Sequence, residues 1–130
     1  MKDKTRVKRV ICSDNTEIYY WVSWNSGMAK DFLVLHPAAS MNHSSLQGLE
    51  KGINDMGHPT LVFDQRGTGY SQVGSDSDSH SLDRYTEDLQ RIIEKEGLEK
   101  PEILTHSFGF MPAVNYASKS GNVGKITGIC

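Results

Sequence analysis

Three short apolar runs, each followed by a stretch of helical periodicity, constrain this 130-residue chain more than any other feature. The runs are Phe32–Leu35, Thr60–Phe63 and Glu102–Leu104. Such short, near-continuous runs suit strands covered on both faces, as in a parallel sheet. After the first, Leu46, Leu49, Ile53 and Met56 recur at i, i+3, i+7 and i+10, a helical stripe that Gly57 closes. After the second, Ser81 stands ready to cap a helix whose stripe is Leu82, Tyr85, Leu89, Ile92 and Ile93, with Gly97 as its stop. After the third, Phe108–Lys119 fits a helix in which Pro112 is tolerable if it sits in the first turn. Ahead of these units, Val7–Cys12 and Thr16–Trp24 are rich in β-branched and aromatic residues. Ser13-Asp14-Asn15 joins them as a turn in which Asn15 can tolerate a left-handed conformation, so the two segments are expected to form a hairpin. Lys125–Cys130 is one more strand. The expected fold is α/β: a mostly parallel sheet with flanking helices and an N-terminal antiparallel hairpin.

Composition narrows the functional classes. With 37% hydrophobic residues and a formal charge of −2, the chain has material for one core. Residues 2–9 carry five basic side chains against one acidic, Asp3, which invites a nucleic-acid reading. No aromatic residue interleaves with them, and the acidic remainder would repel a phosphate backbone, so neither nucleic acid nor a membrane surface is an expected partner. No apolar run, Phe32–Leu35 included, approaches the length of a membrane span or signal core. Cys12 and Cys130 make neither a disulfide framework nor a metal-ligand spacing. Asp76 and Asp78 mimic the start of a calcium loop, but Ser81 occupies the sixth position, where that loop needs glycine. A soluble cytoplasmic protein without metal or cofactor is expected.

In parallel sheets, sites form at the carboxyl ends of strands, here His36-Pro37, Asp64-Gln65-Arg66 and Thr105-His106-Ser107. Thr105-His106-Ser107-Phe108-Gly109 lies between a predicted strand and a predicted helix. It resembles the nucleophile elbow Gly-x-Ser-x-Gly of the α/β-hydrolase family, in which a strained turn thrusts the serine Oγ above the sheet edge. Gly109 matches that pattern, whereas Thr105 stands where the family has glycine and narrows the turn. Two further segments carry the same resemblance. Leu33 to Ala39 looks like the strand ending in His-Gly-x that supplies half of an oxyanion hole, and Asp64-Gln65-Arg66-Gly67-Thr68-Gly69-Tyr70-Ser71 is very like the family's Asp-x-Arg-Gly-x-Gly-x-Ser. The resemblance covers nearly all 130 residues but only the N-terminal part of a complete family member, so residues 1–130 read as a partial, C-terminally truncated α/β-hydrolase domain.

The resemblance implies a serine hydrolase performing acyl transfer on an ester, amide or related small-molecule carbonyl substrate. Ser107 would attack, while the N–H groups of Ala38 and Phe108 would stabilise the oxyanion. Pro37 stands where glycine is usual and has no N–H, so Ala38 rather than residue 37 is the expected donor. The Asp64–Ser71 segment is expected to be structural, its glycines permitting tight turns and Asp64 and Arg66 bonding backbone and each other. A serine needs a base, normally a histidine oriented by a carboxylate, and in this family both follow the serine. After Ser107 the sequence contains no His, Asp or Glu. Of the five histidines, His106 adjoins the serine on the opposite face of an extended segment, His36 is a structural hydrogen-bonder, and His43, His58 and His80 are loop residues without partner carboxylates. The alternative from another class is an inactive fragment acting as a binding or association module. Its open sheet edge at residues 125–130 would self-associate or accept a completing polypeptide.

Overall fold

The computed structural model describes residues 4–25, 27–28, 32–74 and 78–129. Lys2, Asp3, Asp76 and Cys130, which enter the sequence reading above, lie outside them. Six strands form one sheet: β1 (Lys4–Ile11), β2 (Glu17–Trp24), β3 (Leu33–His36), β4 (Thr60–Phe63), β5 (Glu102–His106) and β6 (Lys125–Ile129). Their spatial order is β1-β2-β4-β3-β5-β6. The hairpin β1–β2 and the pair β2–β4 are antiparallel; β4–β3, β3–β5 and β5–β6 are parallel. Asn15 turns the hairpin at φ 66°, as a residue with a short polar side chain can. Three helices complete the fold: α1 (Gln47–Asp55), α2 (Leu82–Glu96) and α3 (Phe110–Ser120).

The alternation of side chains divides β3, β4 and β5 between two apolar layers. Val34, Leu61, Phe63 and Ile103 pack with Leu89, Ile92 and Ile93 of α2 and Ala113 and Tyr116 of α3. Leu35 and Val62 face the other way, against Leu46 and Ile53 at α1. That two-sided burial is why these strands read as unbroken apolar runs. The Ser81 hydroxyl accepts from the Arg84 N–H at the start of α2, and Gly97 ends the helix at φ 64°. Pro112 is buried in the first turn of α3. The stripe assigned to α1 holds only in part, because Leu46 and Ile53 are buried while Leu49 is exposed and Met56, just past the helix end, is 73% exposed. The nine-residue helix itself seats Ile53 on the sheet, Leu46 is seated by the turn before it, and Leu49 and Met56 are left in solvent.

Candidate active site

The chain reverses abruptly at the end of β5. His106 is extended at φ −111°, Ser107 is left-handed at φ 51°, and residues Ser107–Gly109 form a 3-10 turn that feeds α3. A left-handed serine costs about 1–2 kcal/mol relative to a right-handed one, so the neighbours must impose it. Gly109 shows how. A Cβ added there would lie 2.6 Å from His36 Nδ1 and 3.0 Å from the His36 carbonyl oxygen, so only glycine lets the turn close onto β3. Ser107 is exposed, and among the described residues its hydroxyl has no hydrogen-bond partner. Phe108 is anchored edge-on against Tyr85 of α2, with ring centroids 5.3 Å apart, a contact the sequence reading did not foresee.

Thr105, where the family pattern has glycine, is fully buried. Its Oγ1 donates to the Thr127 carbonyl at 3.3 Å, and its register partner on β6 is Gly128. The bulk added on β5 is met by a residue without a side chain on the neighbouring strand.

His36 ends β3 completely buried, in register with Thr105 and edge-on to Phe63. Its Nδ1 donates to the Pro37 carbonyl at 2.8 Å; a carbonyl can only accept, so the proton sits on Nδ1. Nε2 is left as a buried acceptor without a partner, and burial pulls the pKa down to about 4, against which the Pro37 bond acts only weakly. The imidazole is therefore neutral at pH 7, as expected of a structural histidine. Beyond Pro37, the Ala38 carbonyl accepts from Met41 N–H at 3.0 Å and from Gln65 Nε2 at 2.6 Å. The Ala38 N–H has no acceptor among the described residues. The first N–H groups of a helical turn likewise lack internal partners, and Phe108 is the second residue of one. Because β3 and β5 are adjacent and Gly109 touches His36, the segments bearing these two amides are brought together with Ser107.

The segment after β4 is structural, but with different bonds from those expected. Asp64 and Arg66 do not pair. The buried Asp64 carboxylate accepts from the His43 backbone N–H at 2.7 Å, His43 Nδ1 at 2.8 Å and the Tyr70 N–H at 2.9 Å. Gly69 is required there, since a Cβ would fall 2.1 Å from Asp64 Oδ2. His43 thus has the carboxylate partner that sequence reasoning denied it, and its ring stacks on Trp21 at 3.6 Å. Arg66 is also buried and reaches Asp88 of α2 and Asp14 of the hairpin turn, at 2.8 and 2.7 Å. Burial pushes the Asp14 carboxyl up, yet the hydrogen bonds from Arg66 and Thr16 outweigh it and hold the group at about 2. Cys12 is a free, buried thiol whose pKa is pushed up to about 12 by burial and by Asp88. Apart from the local Tyr70 and Thr16 bonds, these partners stand between 21 and 76 residues apart in sequence, beyond the reach of any local pattern. Among the described residues, no group of three or more His, Cys, Asp or Glu is arranged to hold a metal ion, and no helix is long and apolar enough to cross a membrane.

Comparison with known proteins agrees with this architecture. The chain is 33% identical over 91 residues to a proline iminopeptidase of Heyndrickxia coagulans, a match covering 70% of this chain and 31% of that protein. It is 29% identical over 92 residues to the proline iminopeptidase of Clostridium botulinum, covering 71% of this chain and 31% of that protein. It therefore spans about a third of the length of these curated relatives. Among solved structures, epoxide hydrolase A of Mycobacterium thermoresistibile superposes with a TM-score of 0.82 at 21% identity, over 96% of this chain and 39% of that one. The model of the alpha/beta hydrolase fold matches residues 31–130, which contain the turn at Ser107, the His36–Ala38 strand end and the Asp64–Ser71 segment, and this chain belongs to that family.

Proposed function

We propose that residues 1–130 form the nucleophile-bearing part of a serine hydrolase that transfers acyl groups from ester, amide or related carbonyl substrates. Ser107 Oγ attacks the carbonyl carbon, and the Ala38 and Phe108 N–H groups receive the negative charge that develops on the carbonyl oxygen. The observation that carries this reading is the left-handed, exposed Ser107 beside two amides without partners. The curated relatives are proline iminopeptidases, which favours the amide end of the substrate range. The proton acceptor and its orienting carboxylate come from outside these residues, since no His, Asp or Glu follows position 107 and, among the described residues, the His43–Asp64 pair makes no hydrogen bond to Ser107.

A fluorophosphonate probe tests the assignment. The 130-residue chain should resist labelling at pH 7, because no base removes the Oγ proton. At alkaline pH, slow labelling should rise in step with hydroxide and vanish in Ser107→Ala. Attachment at another residue, or labelling that survives Ser107→Ala, would overturn the reading of Ser107. Fast labelling at pH 7 that depends on Ser107 would reveal a base within the chain.

A further inference from the structure

We propose that Gln65 is a positioning residue of the oxyanion pocket: its side-chain amide holds the Ala38 carbonyl and so fixes the peptide segment that presents the Ala38 N–H. This inference rests on the roles proposed above for Ser107, Ala38 and Phe108.

Gln65 follows β4, the strand beside β3, and is 1% exposed. Its Nε2 faces two carbonyl oxygens, Ala38 at 2.6 Å and Met41 at 3.5 Å. Turning the amide over would set Oε1 against both acceptors, so the orientation is determined by the surroundings. The consequence is that Oε1 is buried without a partner. Burying an unsatisfied oxygen is unfavourable, and an apolar side chain of the same length would avoid it. What distinguishes the glutamine is the donor it brings to Ala38. That residue is constrained from both sides. Pro37 limits the chain entering it, while Gln65 Nε2 and the Met41 N–H together occupy its carbonyl. Its own N–H alone is left without an acceptor among the described residues. The arrangement directs one end of Ala38 into the protein and leaves the other available to a ligand at Ser107. Preorganised donors of this kind stabilise charge because they need not reorient when it appears.

The test is equilibrium binding of phenylboronic acid to the isotope-labelled chain, followed by boron and amide NMR at pH 8.5. The Ser107 oxygen adds to boron, forming the Oγ–B bond; the hydroxyl proton passes to water, and boron becomes a tetrahedral anion with no group leaving. An equilibrium measurement does not depend on how fast a base takes the proton. The wild-type chain should give a protein-bound tetrahedral boron resonance, distinct from that of the free reagent's own hydroxide adduct, with shifts of the Ala38 and Phe108 amides. Gln65→Met, which preserves length and burial, should weaken the adduct about tenfold and abolish the Ala38 shift while retaining that of Phe108. Gln65→Glu supplies a donor only when its carboxyl is protonated, so its affinity relative to wild type should recover as the pH is lowered. A space-filling role would show no such recovery. If either folded variant binds as wild type does at pH 8.5, or if the glutamate variant shows no recovery, the positioning role is overturned and the reading of Ser107 stands. No adduct in the wild-type chain, or one that persists in Ser107→Ala, removes the reading of Ser107 and this inference with it.

Discussion

Ser107 shows how a single position can be held in a strained backbone conformation at the expense of stability. Its φ of 51° is one glycine adopts freely, so Ser107→Gly should stabilise the chain by about 0.5–1 kcal/mol, the relieved backbone strain less the extra freedom glycine gives the unfolded state. Urea unfolding checks the sign, and a destabilised variant would mean that the serine conformation is not strained. His36 yields a pH dependence. Unfolded, it takes a proton near its ordinary 6.5; folded, not until about 4. Between those values the unfolded state binds more protons, so stability falls as the pH is lowered through the window. The advantage of wild type over His36→Asn, which keeps a donor for the Pro37 carbonyl, should shrink by about 3 kcal/mol between pH 7 and pH 4 in paired unfolding curves. The sharp turn at Ser107 was legible, because its requirements are local: a small residue at 109 and a strand leading into a helix. The partners of Asp64 were not. Reading His43 as a loop residue was sound as local inference, but the bond depends on how the turn after β3 folds across the end of β4.

Among the elements, α2 was the most fully readable, since its cap and stop hold and Leu89, Ile92 and Ile93 of its stripe are buried, although Leu82 at its start is exposed. The stripe of α1 overstated its burial, because periodicity reports the face a helix presents and not how much sheet lies beneath it. The elements are also tied by charge. Arg66 joins the hairpin turn through Asp14 to α2 through Asp88, and none of the three side chains is more than 2% exposed. Replacing it leaves two carboxylates without their common cation in a site with little water. Arg66→Met should therefore cost about 3–5 kcal/mol, measured by urea unfolding at pH 7. A loss below about 1 kcal/mol would show that the network contributes little beyond its packing.

At the scale of the molecule, the order of strands and helices was sufficient to assign a mostly parallel sheet, because each parallel crossover carries its own helix. The two outer strands differ in character. β1 bears Arg6, Lys8 and Arg9 along its length, whereas β6 has one charge, Lys125, followed by Ile126-Thr127-Gly128-Ile129. An apolar outer strand offers unpaired backbone groups to another chain. Size-exclusion chromatography should accordingly show association that grows with concentration and that Ile129→Lys suppresses; a monomer at every concentration would refute this. The same strand has a subtler bearing on how such a chain tolerates change. Although Thr105 faces Gly128 across the ladder, a Cβ added at 128 would lie 3.5 Å from Thr105 Oγ1 and 3.5 Å from Phe110 Cδ2, which is ordinary van der Waals contact, so a methyl group fits there without any change at 105. Position 128 can thus gain a small side chain while Thr105 keeps its place, and the ladder tolerates change at one site without demanding it at the other.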